Sequence, residues 1–302
     1  MGSEMCIRDR GVIPVNVGRG AFALIGAKSD PKFIGLYDDY IRRCPSNCIE
    51  FVDACIGAGN ITSRMRGRFQ SYIANDADQM VATIFYGLSK YNREVFLKAL
   101  ELDEVINNLD SVNYYKKLND PKKIWNSIDS LEPDYIIEKA ATYLLMKNKS
   151  FNGIGRGFSG NRTSICKRRK SLEMFKGLDK IYSMDLLDLL NMLYADGDNI
   201  NDKRFLFLDP AYLDANVAYN NKIVYTKNDY HKKLCRSARR FKNVLICGYE
   251  SELYKQELED FGFYKTLIGT KAVTAGSKSN IRAKEFICLL YTSDAADDLI
   301  GV

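Results

Sequence analysis

Short apolar runs alternate with longer amphipathic stretches over most of the chain. A run of strand length is followed by a turn and then, as at Gln79 to Ser89, by apolar residues at helical spacing. Strands that alternate with helices indicate a parallel sheet covered on both faces. The pattern therefore predicts the α/β class with a doubly wound, Rossmann-like sheet. The predicted strands lie at residues 49–52, 72–74, 205–208 and 243–247, and a closing hairpin pairs 263–268 with 285–287.

The alternation breaks in the middle of the chain. From about residue 90 to residue 176 the sequence is polar, helical in pattern and rich in loop residues, without a clear buried strand. The simplest organisation is a sheet domain formed by 11–89 and 178–287, which carries 90–177 as an inserted, mainly helical domain.

Both ends of the chain resemble translated sequencing adapters. Gly2 to Asp9 and Cys288 to Asp297 are similar to the two arms of an adapter of the transposon type. Genuine termini are the alternative, but the two ends match opposite arms independently. We therefore expect 1–10 and 288–302 to be artefacts, and the natural segment to run from about Gly11 to Ile287.

Composition narrows the class of partner. The net charge is +6, and about +9 without the adapter-like tail, which fits a polyanionic partner although it also serves solubility. His231 is the only histidine, which argues against zinc sites and histidine-based nucleophilic catalysis, so no metal is expected. No apolar run is long enough to span a membrane. The six cysteines of the natural segment show no paired Cys-x-x-Cys spacing, and several of them sit in apolar runs, which indicates buried thiols in a reducing cytoplasm. The six are Cys44, Cys48, Cys55, Cys166, Cys235 and Cys247.

A polar tetrapeptide follows the third predicted strand. The apolar run up to Leu208 ends on Asp209-Pro210-Ala211-Tyr212. Open α/β sheets bind their ligands at the carboxyl ends of their strands, so this position predicts a polar site. An acid and a proline after a strand also form ordinary turns, which is the alternative.

A glycine turn follows the first predicted strand. This strand ends on Asp53 and leads into Gly57-Ala58-Gly59, where the backbone can approach a ligand closely. The second strand leads to Asp76 and Asp78. An acid that stands about twenty residues beyond the glycine turn in the sequence can accept hydrogen bonds from ribose hydroxyls. A plain strand-to-helix turn and a helix N-cap are the alternatives for the two features.

The order of these features resembles the Dam-like class of DNA adenine methyltransferases over nearly the whole natural segment. Asp209-Pro210-Ala211-Tyr212 is close to the Asp-Pro-Pro-Tyr signature of amino-methyltransferases. The resemblance implies a Rossmann-like methyltransferase sheet and an inserted domain at 90–177 that recognises a DNA target. It also implies a phage or bacterial enzyme, a monomer or weak dimer, that transfers a methyl group from S-adenosylmethionine to adenine N6 in double-stranded DNA. Ala211, Ala54 and Cys55 depart from the family pattern.

The resemblance also assigns residues to the cofactor. Ile25-Gly26-Ala27-Lys28 resembles the family's leading motif and places Lys28 near the cofactor and target. Asp53, Gly57 and Gly59 would cradle S-adenosylmethionine, and Asp76 would hold its ribose. Asp185, ahead of the Asp-Pro strand, would contact the cofactor adenine, with a helix cap as the alternative.

Inside the predicted insertion, Phe151-Asn152-Gly153-Ile154-Gly155-Arg156 resembles the family's DNA-reading segment. Asn152 can bond a base edge, and Arg156 can reach a base or a phosphate. A basic run follows, suited to backbone phosphates, although a solvated loop is the alternative. Its members are Arg162, Lys167, Arg168, Arg169 and Lys170.

The tetrapeptide suits amine methylation on chemical grounds. An adenine amino group is a poor nucleophile because its lone pair is delocalised into the ring. Hydrogen bonds from this group to the Asp209 carboxylate and the Pro210 carbonyl would localise the lone pair and stabilise the developing positive charge. Tyr212 would stack on a base that has left the duplex.

Two other functions stay open at the level of sequence. One is a methyltransferase with the same tetrapeptide that acts on cytosine N4, RNA or a protein glutamine. The other is a catalytically silent DNA-binding relative, because Ala54, Cys55 and Ala211 depart from pattern. The biological role, whether phage protection, restriction–modification or regulation, does not follow from the residues.

Overall fold

The computed structural model describes residues 20–22, 24, 31–106, 122–125, 127–150, 153, 164–214, 223–272 and 282–290. In these ranges the protein is a mixed α/β fold around a seven-stranded, mostly parallel sheet, compatible with the Rossmann-like class. No helix among the described residues is both long and apolar enough to cross a membrane.

The sheet has the strand order β3-β2-β1-β4-β5-β7-β6. Strands β1 to β5 are parallel where they pair, and β7 is antiparallel to both β5 and β6. The four predicted strands and the closing hairpin are confirmed within a few residues. The bounds are β1 Glu50–Asp53, β2 Ser71–Asn75, β3 Lys180–Tyr182, β4 Arg204–Leu208, β5 Val244–Tyr249, β6 Tyr264–Ala272 and β7 Arg282–Leu290.

Strand β3 has no counterpart among the predicted strands. It is three residues long and pairs only with β2, at the edge of the sheet. An edge strand is not buried on both sides, so it lacks the continuous apolar run that identified β1 and β4.

Helices follow most of the strands, as the alternation predicted. The helix at Gln79–Lys90 agrees closely with the predicted 79–89. The helices are α1 Pro31–Arg42, α2 Asn60–Met65, α3 Gln79–Lys90, α4 Asn92–Ile106, α5 Lys122–Trp125, α6 Pro133–Lys149, α7 Arg169–Glu173, α8 Leu186–Tyr194, α9 Asp198–Asn201, α10 Asn228–Ala238 and α11 Glu252–Glu257.

The described residues form two compact units. The sheet unit comprises those within 30–56, 71–82 and 179–302 and holds all seven strands. The helical unit comprises those within 1–29, 57–70 and 83–178. It is wider than the predicted insertion at 90–177, because it also takes in the glycines of the turn after β1. That 90–177 recognises a DNA target stays a prediction.

Both faces of the sheet are covered within the sheet unit. On one face, Val52, Leu206 and Val244 join an apolar cluster with residues of α8, α10 and α11. On the other face, the Tyr37 ring of α1 packs edge-on against Phe207, with 6.1 Å between ring centroids. Burial on two faces explains why all five residues of β4 are buried and why the four after Arg204 form an unbroken apolar run.

Strand β7 extends beyond the predicted natural segment. Cys288, Leu289 and Leu290 complete the strand and pair with Ile246, Leu245 and Val244 of β5. Cys288 and Leu289 are almost completely buried. These three residues of the adapter-like end therefore contribute apolar surface to the sheet.

Candidate functional site

The strand order reverses between β1 and β4. From β1 the chain builds outward to β2 and β3, and then returns to the other side of β1 to begin β4. Asp53, the last residue of β1, pairs with Phe207 of β4, so Asp209 leaves the sheet two residues further on, at the same edge. In open α/β sheets this is the position where ligands bind.

Cys55 lies between the ends of these strands. Burial raises the pKa of its thiol, and the carboxylates of Asp76, Asp209 and Asp53 raise it further, while the Asp209 backbone acts in the opposite direction. The thiol is therefore protonated, and the acids at or just after the ends of β1, β2 and β4 all lie near it. Sequence reasoning treated Cys55 as one of the cysteines without paired spacing and as a departure from the family pattern, and did not connect it with these acids.

Asn75 joins the loops around this edge, a role that sequence reasoning missed. It ends β2 and is buried, and its side-chain amide donates to the carbonyls of Ala54 (3.0 Å) and Met184 (3.1 Å). The amide oxygen accepts a hydrogen bond from the Met184 backbone N–H (3.1 Å). Because both a donor and an acceptor are used, an aspartate could not make this set of bonds.

The predicted ribose acid is part of a short turn. Asp76 is partly exposed, and its Oδ1 accepts a hydrogen bond from the Asp78 N–H (2.8 Å). Asp78 in turn accepts from the N–H of Met80 in the first turn of α3 (3.0 Å), so Asp78 has the cap-like role. Asp76 thus stands beyond the carboxyl end of β2, and its contact with a ribose stays a prediction.

Asp185 is the N-cap of α8, the alternative that sequence left open. Its Oδ1 accepts hydrogen bonds from the Leu187 N–H (2.8 Å) and from the Tyr230 hydroxyl (3.3 Å). Burial and the Asp185 charge raise the pKa of Tyr230, which keeps the phenol protonated as a donor. The contact of Asp185 with the cofactor adenine stays a prediction.

The tetrapeptide after β4 is anchored at its tyrosine. Pro210 is buried, whereas Asp209 and Tyr212 are partly exposed. The Tyr212 hydroxyl donates to Oε1 of Glu285 (2.6 Å), and its ring meets Tyr249 edge-on at 4.7 Å between centroids. Burial, and next the Asp209 charge, raise the pKa of Tyr212. Glu285 and Tyr249 were missed, and an acid directly before the apolar run of β7 was the only signal.

His231 of α10 packs behind the same tetrapeptide. It is fully buried, and its Nδ1 lies 2.8 Å from the Tyr254 hydroxyl. Burial lowers the pKa of His231, while the carbonyls of Tyr225 and Ala211 oppose the shift. The ring is therefore held neutral.

This burial predicts a loss of stability in mild acid. The pKa of His231 is lower in the folded protein than in the unfolded chain. Below about pH 6.5, the ordinary pKa of histidine, the unfolded chain therefore binds more protons than the folded protein. The free energy of unfolding should therefore fall as pH drops from 7.5 to 5.5, by no more than about 1.4 kcal/mol per pH unit. Urea unfolding at several pH values measures the slope. His231→Gln should flatten it, and an unchanged slope in this variant would assign the effect elsewhere.

The glycine turn is fixed by packing inside the helical unit. Gly59 has φ +79°, and a Cβ there would lie 2.5 Å from the Phe175 ring. The backbone N–H of Gly20 donates to Oδ1 of Asn60 (2.6 Å), and that of Ala21 donates to the Ala58 carbonyl (2.8 Å). Aromatic packing thus explains the need for glycine at position 59, and its contact with a cofactor stays a prediction.

The basic run is divided between internal and exposed positions. Arg168 donates to the Gly20 carbonyl (3.1 Å), and Arg169 pairs with Glu173 (3.3 Å). Lys167 and Lys170 are exposed in the same short stretch, as phosphate contact requires. The remaining predicted site residues lie outside the described residues: Lys28, Asn152, Arg156 and Arg162.

The acids at the sheet edge restrict the kind of ligand. Asp53, Asp76 and Asp209 share the surroundings of Cys55, and Asp185 is linked to Cys55 through Tyr230. Carboxylates in such numbers favour hydroxyl donors and positive charge, and they repel a pyrophosphate. Among the described residues, no three His, Cys, Asp or Glu side chains are grouped as a metal site would be.

Comparison with known proteins adds no relatives to this picture. No protein-family model matches the chain, and no curated protein sequence is significantly similar to it. The assignment of function therefore depends on the residues and their geometry.

Proposed function

We propose that this protein is an S-adenosylmethionine-dependent methyltransferase that acts on the N6 amine of adenine in DNA. One observation carries the proposal. Asp209-Pro210-Ala211-Tyr212 leaves the sheet next to the end of β1, where the strand order reverses and α/β sheets bind ligands. The resemblance of the tetrapeptide to the amino-methyltransferase signature also favours chemistry on an amine at this position.

The acidic edge suits this cofactor better than a dinucleotide. S-adenosylmethionine carries positive charge on its sulfonium and ammonium groups, supplies an electrophilic methyl group and presents two ribose hydroxyls. Asp76 would accept from those hydroxyls, and Asp53 and Asp185 would add negative charge around the cation. The resemblance assigns Gly57, Gly59 and Lys28 to the same cofactor.

Asp209 and Pro210 would prepare the target amine. The Asp209 carboxylate accepts one amine hydrogen and the Pro210 carbonyl accepts the other, which directs the nitrogen lone pair toward the methyl donor. Positive charge develops on the nitrogen during attack, and the two acceptors stabilise it. The proton leaves after the methyl group has transferred, so no base of shifted pKa is needed beforehand.

Tyr212 would receive the target base. A base inside a duplex cannot reach a site at the edge of a sheet, so it must leave the stack. A ring fixed at its hydroxyl by Glu285 and at its edge by Tyr249 offers a rigid surface for stacking. Ala211 stands where the family pattern has a second proline, and we expect this to alter the rigidity of the turn and to keep its chemistry.

Contacts with DNA would come from the helical unit. Lys167 and Lys170 are exposed cations on a short helical stretch and suit backbone phosphates. Asn152 and Arg156 would read bases, and Arg162 would add a phosphate contact. Arg168 already has a partner in the Gly20 carbonyl, so we expect it to shape this stretch as well as to face DNA.

Mass spectrometry of nucleosides tests the proposal directly. The purified protein is incubated with duplex DNA of mixed sequence and S-adenosylmethionine, and the DNA is digested to nucleosides. We expect N6-methyladenosine as the deoxynucleoside, and none when cofactor is omitted. Methylcytosine alone, or no methylated base, would overturn the proposal. Calorimetry with S-adenosylmethionine then separates the cases, because a silent DNA-binding relative gives no heat of cofactor binding.

A further inference from the structure

Glu285 is an acid in the interior of the sheet unit. It lies on β7 opposite Tyr249 of β5 and is 0 % exposed. The same strand continues with Phe286, Ile287 and Cys288, so the carboxyl group stands directly before an apolar run. Burying a carboxyl group is costly unless the group is hydrogen-bonded. We therefore expect the hydrogen-bond partners of Glu285 to indicate what the residue does.

Two tyrosine hydroxyls donate to the same oxygen of Glu285. Tyr212 of the tetrapeptide donates to Oε1 at 2.6 Å, and Tyr37 of α1 donates to it at 2.8 Å. Burial raises the pKa of both phenols, so both remain protonated donors at neutral pH. The two bonds are chemically alike, but only one of them reaches the tetrapeptide.

The orientation of Tyr212 depends on the hydrogen bond of its hydroxyl group. Its ring is also met edge-on by Tyr249, the residue opposite Glu285 on the neighbouring strand. A phenol held at the hydroxyl and at the ring keeps one orientation, whereas a phenyl ring held only by Tyr249 can turn away from it. The position of the ring would decide how a stacked base meets Asp209.

We propose that Glu285 is a positioning residue that fixes the orientation of Tyr212 through its hydroxyl and thereby sets the target base against Asp209. This inference rests on the proposed function, in which Tyr212 stacks on the base. Glu285 itself touches no substrate. Misplacing a reacting group by about 1 Å can cost on the order of 100-fold in rate, so loss of the anchor should appear in kcat.

Four single variants separate positioning from plain structural support. Tyr212→Phe and Glu285→Leu remove the anchor from either side, Glu285→Gln keeps an acceptor of the same size, and Tyr37→Phe is the matched control. We expect Tyr212→Phe and Glu285→Leu each to lower kcat for adenine methylation about 10- to 100-fold, with KM for S-adenosylmethionine within about threefold. Glu285→Gln should recover kcat to within about fivefold, and Tyr37→Phe should leave kcat within about twofold.

The double variant Tyr212→Phe/Glu285→Leu completes the test. In kcat it should be no worse than either single variant, because both remove the same bond. Equal losses of kcat in Tyr37→Phe and Tyr212→Phe would overturn the inference, as would an unchanged kcat in Tyr212→Phe. If Glu285→Leu does not fold, the comparison of Glu285→Gln with Tyr212→Phe still tests the inference.

Urea unfolding of the same variants distinguishes failure of this inference from failure of the proposed function. If the wild-type protein methylates no adenine, the proposed function is wrong, and the coupling between positions 212 and 285 in stability becomes the deciding measurement. Non-additive effects would support Glu285 as the anchor of Tyr212 for another planar ligand. Additive effects would overturn the inference.

Discussion

Replacing Asp209 with alanine is expected to lower kcat for adenine methylation by roughly 10²–10³-fold, the effect of removing one preorganised charge-stabilising group from a transition state. In the proposed function, the carboxylate would accept an amine hydrogen and stabilise charge that exists only as the methyl group transfers. KM for DNA should change little, because the proposed phosphate contacts of the helical unit would supply most of the binding. Steady-state kinetics and a DNA-binding titration measure the two quantities.

A matched pair of substitutions controls for charge in the same loop. Asp214 follows five residues after Asp209, is exposed and has φ 56°, a conformation that asparagine tolerates. Asp214→Asn should therefore keep full activity, whereas Asp209→Asn should lose most of it. If Asp209→Ala lost DNA binding as severely as methylation, Asp209 would be a DNA contact or a structural residue instead.

The second large effect concerns the stability of the helical unit. Lys149, the last residue of α6, pairs with Asp103 of α4 at 2.6 Å, and each side chain is only 8 % exposed. Removing one partner leaves the other charge buried without compensation, which typically costs about 3–5 kcal/mol. Lys149→Met should therefore lower the free energy of unfolding by that amount. Denaturant unfolding followed by circular dichroism measures it.

The same helix provides an exposed control pair. Lys98 and Glu101 of α4 lie 2.9 Å apart, but their side chains are 32 % and 63 % exposed. Lys98→Met should cost less than about 1 kcal/mol, because solvent screens a surface ion pair. The double variant Lys149→Met/Asp103→Leu should recover most of the lost stability. A cost for Lys149→Met no larger than that for Lys98→Met would show that the buried pair is not an important stabilising contact.

Strands β1, β2, β4 and β5, together with the β6–β7 hairpin, were predictable because their information is local. A strand buried on both faces is a continuous apolar run, and a turn residue or an acid marks its end. The same reasoning placed Asp53 and Asp209 at the ends of strands. Strand β3 escaped because an edge strand of three residues carries no such run.

The roles of individual side chains show the same difference between local and long-range information. Asp185 carried two interpretations, and the geometry of α8 shows that it caps the helix. Arg168 was grouped with exposed cations, yet it donates to the Gly20 carbonyl. The cap at Asp185 is a local contact with the N–H of Leu187, which the sequence already offered as an alternative. The partner of Arg168 lies 148 residues away, and the local sequence does not specify its position.

The sequence by itself determined the class of fold, the acids at the strand ends and the tetrapeptide on which the proposed chemistry depends. All of these are properties of consecutive residues. Only the tertiary structure brought β4 beside β1, joined the loop ends through Asn75 and set Glu285 under Tyr212. Those contacts join residues up to 154 positions apart, as between Glu50 of β1 and Arg204 of β4. Pairings at this separation are decided by how the apolar faces of the sheet and helices pack, and no local pattern encodes them.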